Sequence, residues 1–197
     1  MIKFHLSRPF FDKNEEKIVK KAIKNTWVST SGPQVKIFEK NLSDFLNVKY
    51  AVATNSGTSA LHLALLSCSV SKGDEVIAPS LTFIATVNAI KYAGAEPIFF
   101  DSDDFYNIKI SDVIKFLDNE CFYKRPYTYN KKTKKIIKAI VLVHVWGNAV
   151  NINKQQITDL KKRGIKIIED ATESLGTYYK SKQLKKSYTG TLGDVGC

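Results

Sequence analysis

Between Tyr50 and Asp170 the chain alternates short, nearly continuous apolar runs with longer segments of helical periodicity, and this alternation narrows the possible folds more than any other feature. The apolar runs are Tyr50-Ala-Val-Ala-Thr54, Glu75-Val-Ile-Ala78, Pro97-Ile-Phe-Phe-Asp101, Ala139-Ile-Val-Leu-Val-His144 and Lys166-Ile-Ile-Glu-Asp170. Helical stretches fall between them at 58–67, 83–92, 111–117 and 154–163. A strand with one wet face alternates apolar and polar residues, whereas a strand buried on both faces reads as an unbroken run. The expected fold is therefore α/β, a doubly wound and mostly parallel sheet with helices on both sides. Ahead of it, residues 12–25 predict a helix: Ile18, Val19, Ala22 and Ile23 recur at helical spacing, and Asp12 with Glu15 suits a capping box. Thr26 to Pro33 is turn-rich, and a second helix is expected to carry Val35, Phe38, Leu42 and Phe45 on one side. Residues 121–138 interrupt the alternation with a basic, tyrosine-bearing insertion. Residues 189–197 are Gly-rich and turn apolar again, as if entering a further strand.

A formal charge of +11 admits nucleic acid, an anionic membrane or an anionic small substrate as partner. Much of that charge is lysine spread over helix faces, as at Lys17, Lys20, Lys21 and Lys24. The one dense cluster, Lys131, Lys132, Lys134, Lys135 and Lys138, reads first as a solvated hairpin or loop. Clustered base-stacking aromatics and nucleic-acid reading motifs are missing, so a basic nucleic-acid-binding module is kept only as an alternative. No apolar run approaches the roughly 20 residues of a membrane span, and Met1 to Lys17 lacks the apolar core of a secretory signal. Neither membrane nor nucleic acid is an expected partner, and a cytoplasmic location is expected. Cys68, Cys121 and Cys197 are scattered, odd in number and without metal spacing, as befits ordinary reduced thiols.

In parallel α/β sheets ligands sit at the carboxyl ends of the strands, and several motifs fall there. Asn55-Ser-Gly-Thr-Ser59 joins a strand to a helix start. Its glycine would let the backbone turn tightly, and its hydroxyls and free N–H groups suit a phosphate at a positive helix terminus. Equally, Ser56 or Thr58 could serve only as an N-cap. It is neither a dinucleotide fingerprint nor a P-loop, because the second spaced glycine and the lysine are missing. Phe83, opening a helix within Pro79-Ser-Leu-Thr-Phe-Ile-Ala-Thr86, could offer an aromatic face to a planar ligand or lie in the core. Glu169 and Asp170 end an apolar strand and point to opposite faces, so at most one faces a given ligand. Such buried carboxylates must be paired or used, although Asp170 could instead cap the next segment. His144, closing another strand, reads as catalytic or as a hydrogen-bonded structural histidine, with the structural role favoured. His5, His62 and His144 show no ligand spacing near these carboxylates, so no metal is expected.

Taken in order, these motifs resemble the DegT/DnrJ/StrS family of sugar aminotransferases, which are fold-type I pyridoxal-phosphate (PLP) enzymes. The resemblance spans essentially the whole chain. It rests on Thr26-Trp27 with Gly32-Pro33 and Phe38-Glu39, Asn55 to Leu65, Gly73-Asp-Glu-Val-Ile77, Thr82-Phe-Ile-Ala-Thr86, Gly94-Ala95, Val143-His144 with Gly147, Glu169-Asp-Ala171 and Gly193-Asp194. Asn130-Lys-Lys-Thr133, His144 to Asn148 and Glu169 to Gly176 look closest to the branch serving bacillosamine and legionaminic-acid type sugars.

The resemblance implies that Gly57, Thr58 and Ser59 form the phosphate-binding turn, that Phe83 stacks on the pyridine ring, and that Asp170 pairs with the pyridine nitrogen and keeps it protonated. Thr172 would pack on the other ring face. Glu173 stands where the family commonly has glutamine, which puts its contact with the cofactor's phenolic oxygen in question. The implied domains are residues 1–33, an N-terminal helix and linker, and residues 34–197, an incomplete large PLP-binding domain. The family's Schiff-base lysine lies shortly after the Gly-Asp-x-Gly stretch, and so beyond Cys197; this segment alone is expected to be inactive. The whole protein would move an amino group from glutamate onto a nucleotide-linked 4-keto-6-deoxy sugar, UDP-linked in this branch, as a homodimer. A PLP-dependent sugar dehydratase, with histidine in place of the lysine, is the alternative within the family.

Overall fold

A computed structural model describes residues 8–29, 32–181, 183–184 and 187–197. The chain divides into two compact units, with the boundary between Ala53 and Thr54. The first contains α1 (Lys13–Lys24) and α2 (Pro33–Leu46). The capping box of α1 forms as expected: the Asp12 carboxylate accepts from the Asn14 amide at 2.6 Å, and the Glu15 carboxylate accepts from the Asp12 amide at 2.7 Å. Pro33 starts α2, where its fixed φ suits the first helical turn. The run 50–54, expected as a strand, is irregular: Tyr50 and Val52 are exposed, and the Ala53 amide donates to the Glu39 carboxylate at 2.9 Å. A strand needs a ladder partner for such an amide, and here a side chain takes that place.

The second unit carries the alternation. In order come α3 (Gly57–Ser67), β1 (Glu75–Pro79), α4 (Ile84–Tyr92), β2 (Glu96–Phe100), α5 (Ile110–Asn119), β3 (Cys121–Lys124), β4 (Tyr127–Asn130), β5 (Ile136–Val143), α6 (Lys154–Lys162), β6 (Lys166–Asp170) and β7 (Val195–Gly196). The parallel strands run in the order β2-β1-β5-β6-β7. The chain moves outward from β1 to β2 and then returns to the other side of β1 with β5, so the winding reverses between β1 and β5. The basic insertion proves to be the antiparallel hairpin β3–β4, attached to the first residues of β5 on the edge that β6 occupies further along.

Strand parity splits the core in two. Val76, Ala78, Ala139, Val141, Val143 and Ile168 pack with Leu61, Leu65, Ala89 and Ile90 of α3 and α4. Ile77, Ile140, Leu142 and Ile167 pack with Val113, Leu117 and Leu160 of α5 and α6. Ile77, Ile140 and Ile167 are fully buried, each contributing roughly 1.5–3 kcal/mol of apolar transfer. Helices thus cover both faces, as the unbroken apolar runs predict. No helix among the described residues is long and apolar enough to cross a membrane.

Candidate active site

A cavity of about 530 Å³ opens at the carboxyl ends of β1, β5 and β6, where the winding reverses. It is lined by Gly57 and Thr58 from α3, by Leu81 to Phe83 and Ala85 after β1, by Val143 to Trp146 after β5, and by Asp170, Thr172 and Glu173 after β6. Six of the seven residues expected to bind a cofactor therefore share one space; Ser59 is the exception.

The start of α3 shows how. Ser56 is the N-cap: its hydroxyl oxygen accepts from the Ser59 amide at 3.2 Å and its proton is offered to the Ser59 hydroxyl at 3.0 Å. The capping half of the reading thus falls to Ser56 and Ser59, which leaves Gly57 and Thr58 facing the cavity. Gly57 does not turn the chain through a left-handed conformation, contrary to the tight turn expected of it. It takes the first helical position, where a Cβ would meet only Thr172 Oγ1 at 3.4 Å, an ordinary van der Waals contact.

Asp170 is buried at the end of β6, on the same face as α3 and α4. One carboxylate oxygen accepts from the Thr86 hydroxyl at 3.0 Å; the other accepts from the Thr172 hydroxyl at 2.7 Å and the Thr172 amide at 3.3 Å. Thr82 extends the network to Thr86 at 3.0 Å. Thr82 and Thr86 bound a stretch that carries the family resemblance, and the structure adds the hydroxyl link from that stretch to Asp170. Phe83 is the N-cap residue of α4 and is 80% exposed, so it is a projecting ring and not a core aromatic.

Glu169, one residue earlier, faces the α5/α6 side and is completely buried. Its carboxylate accepts from the amides of Leu192 at 2.6 Å, Gly193 at 2.7 Å and Gly190 at 3.0 Å. His144 Nδ1 accepts from the Val150 amide at 3.1 Å, which leaves the proton on Nε2, 3.1 Å from Glu169. Both ring nitrogens of His144 are thus engaged by hydrogen bonds within the fold, and Glu169 gathers the Gly-rich segment that leads into β7.

The Glu173 carboxylate accepts from the Trp146 amide at 2.8 Å. Trp146 sits at φ 50 and ψ 33, a left-handed conformation that costs a bulky residue on the order of 1–3 kcal/mol. All three thiols are raised by burial, Cys121 to about 11 and Cys197 to about 12, the latter helped by the Asp170 charge. None is a thiolate nucleophile at neutral pH. No lysine among the described residues lines the cavity.

The donor set fits a ligand with an anion at one end, a flat ring, and a protonated ring nitrogen at the other. The positive terminus of α3 suits the anion, Phe83 offers a ring face, and Asp170 is a buried acceptor pair opposite a proton donor.

The model of the DegT/DnrJ/EryC1/StrS aminotransferase family matches residues 9–197. GDP-perosamine synthase of Escherichia coli O157:H7 is 38% identical over 190 residues, which are 95% of this chain and 46% of that protein. The chain thus spans about half the length of the curated relatives it matches. Among solved structures, a DegT DnrJ EryC1 StrS aminotransferase from Brucella abortus superposes with a TM-score of 0.79 at 30% identity, covering 93% of this chain and 45% of the other. The E. coli GDP-4-keto-6-deoxy-D-mannose-3-dehydratase with bound hydrated PLP superposes with a TM-score of 0.76 at 25% identity, covering 98% and 46%.

Proposed function

We propose, from the premise that this chain belongs to the PLP-dependent DegT/DnrJ/EryC1/StrS aminotransferase family, that the whole protein transfers an amino group from glutamate to a nucleoside-diphosphate-linked 4-keto-6-deoxy sugar. The observation that carries this reading is the convergence of buried Asp170, exposed Phe83 and the α3 terminus on one cavity. PLP, when bound, supplies the electron sink and the carrier for the amino group.

The chain's own residues hold and orient. The Gly57 and Thr58 amides and the Thr58 hydroxyl are the donors left for a phosphate, since the Ser59 amide already serves Ser56. Phe83 covers one ring face, and Thr172 stands on the β6 side. Asp170 stabilises a proton on the ring nitrogen, and the Thr86 and Thr172 hydroxyls fix its two oxygens. Glu173 keeps its acceptor turned toward the Trp146 amide.

The nucleotide is where two supports diverge. Of the stretches 144–148 and 169–176, His144 to Trp146, Asp170, Thr172 and Glu173 line the cavity, and these stretches favour the UDP-sugar branch. Asn130–Thr133 lies outside the cavity lining, and Asn130 is a buried hairpin residue donating to Glu75 at 2.9 Å. The relatives named GDP-perosamine synthase favour GDP. A coupled assay with glutamate should offer UDP-4-keto-6-deoxy-N-acetylglucosamine, the GDP- and dTDP-linked 4-keto-6-deoxyhexoses, and oxaloacetate, with product masses read out. Amination of one of the nucleotide sugars is expected; preference for oxaloacetate overturns the reading. A second reading, sugar dehydration, is favoured by the likeness to the E. coli dehydratase. It predicts a product mass that shows loss of the 3-hydroxyl and no added nitrogen.

A further inference from the structure

At the rim of the cavity, Trp146 and Tyr106 form an edge-to-face pair with ring centroids 5.0 Å apart and planes inclined by 68°. Both residues adopt left-handed backbone conformations, Trp146 at φ 50 and Tyr106 at φ 67. Both stay largely open to solvent, at 67% and 49% exposure. An aromatic residue held in a costly conformation while its ring faces water gains little apolar burial in return. Strain of this kind persists only where the surroundings impose it.

The surroundings here do impose it. Asn107 is buried between the two loops: its side-chain oxygen accepts from the Val145 amide at 3.1 Å, and its amide group donates to the Asn148 and Ala149 carbonyls at 3.2 and 3.3 Å. The Asp103 carboxylate accepts from the Phe105 and Asn107 amides at 2.9 and 3.1 Å and closes the loop that carries Tyr106. On the cavity side, the Glu173 carboxylate fixes the Trp146 amide, and the Thr177 hydroxyl donates to the Gly147 carbonyl at 3.1 Å. Two separate segments, 103–107 and 173–177, thus fix the backbone of the loop that carries one solvent-facing indole, in the same cavity lining as Asp170 and Thr172.

We infer that Trp146, braced by Tyr106, is a stacking platform for a ring of the nucleotide-sugar acceptor, and that it sets acceptor affinity. The inference rests on the functional reading above. Indole faces take up either the C–H face of a hexose or a nucleobase, and Tyr106 keeps the indole from rotating away.

The experiment compares the full-length holoenzyme with Trp146→Asn and Trp146→Phe. Asparagine tolerates the left-handed conformation, so this substitution removes the ring and the strain together without undermining the loop. Trp146→Asn is expected to melt no lower than the parent, to raise the KM for the nucleotide sugar tenfold or more, and to move the KM for glutamate less than twofold. Trp146→Phe should recover most of the acceptor affinity. Calorimetric titration with free UDP and GDP assigns the ring: a matching loss of affinity points to the nucleobase, and retained affinity points to the hexose. An acceptor KM within twofold of the parent, or an equal rise in both KM values, overturns the platform. If the parent aminates no nucleotide sugar, the functional reading fails by itself. In that case, unchanged nucleotide and nucleotide-sugar binding by Trp146→Asn, measured by the same calorimetry, also overturns the platform, and weakened binding upholds it.

Discussion

The two faces of the sheet use neighbouring carboxylates in opposite ways. Glu169, on the α5/α6 face, is saturated: three loop amides and the His144 ring all donate to it. Asp170, on the α3/α4 face, is held by two flexible hydroxyls and one amide, and it borders a cavity. Both are buried at the end of β6, so neither burial nor sequence position separates them. What separates them is the kind of donor. Backbone amides cannot reorient, and they commit a carboxylate to the fold. Hydroxyls can rotate and accept as well as donate, and they leave the carboxylate available to a ligand.

The strongest way to break this contrast is Glu169→Ala. It leaves three half-buried amides and the buried His144 Nε2 proton without an acceptor, which should cost about 3–5 kcal/mol. Thermal unfolding followed by circular dichroism should shift down by roughly 10 °C. A shift under about 2 °C would mean that water serves those donors. Asp170→Asn should do the reverse. The Thr86 and Thr172 hydroxyls can turn to suit an amide, so stability should change by less than about 1 kcal/mol, while turnover of the whole enzyme falls on the order of a hundredfold or more. Near-native turnover would reduce Asp170 to a cap for Thr172.

Phe83→Ala sharpens the same contrast more gently. The ring is exposed, so its loss should leave unfolding nearly unchanged while weakening cofactor retention by about 0.5–1.5 kcal/mol. Equilibrium dialysis against PLP measures this, and early melting with unchanged retention would contradict it. The smallest effect should come from pH. Burial pushes the Asp194 carboxyl up, but the Ile167 amide and the Lys166 ammonium more than offset this and leave it below its usual value. A lowered folded-state value means that stability is present above about pH 4 and lost as pH falls through the lowered value. Asp194→Asn should flatten that acid limb by under about 1 kcal/mol, because the Lys166 partner is half exposed.

The core was legible because burial on both strand faces writes itself into composition: Val141, Leu142 and Val143 could hardly belong elsewhere. The N-terminal capping box of α1 and the placement of Gly57, Thr58, Phe83, Asp170, Thr172 and Glu173 around one cavity were also readable, the cap from spacing and the cavity group from motif order. The run 50–54 was misread because an apolar run carries no information about whether a ladder partner is present. Tyr106, Asn107 and Trp146 were missed for a related reason. They lie 40 residues apart in sequence, and their significance is a backbone conformation, which no periodicity records. Gly57 lines the cavity without the tight turn expected of its glycine, because it takes the first helical position.

The amides that satisfy Glu169 come from Gly190, Leu192 and Gly193, 21 to 24 residues after it in the chain. During synthesis, β6 emerges first and carries an acid with no backbone donor until that segment follows it out. Because domains consolidate as their pieces leave the ribosome, the β6 edge and the adjoining Asp170 should remain unsettled until Gly193 is available. Ribosome-stalled chains ending on either side of Gly193, once clear of the exit tunnel, should differ sharply in protease resistance. Equal resistance would show that the rest of the sheet anchors this strand unaided.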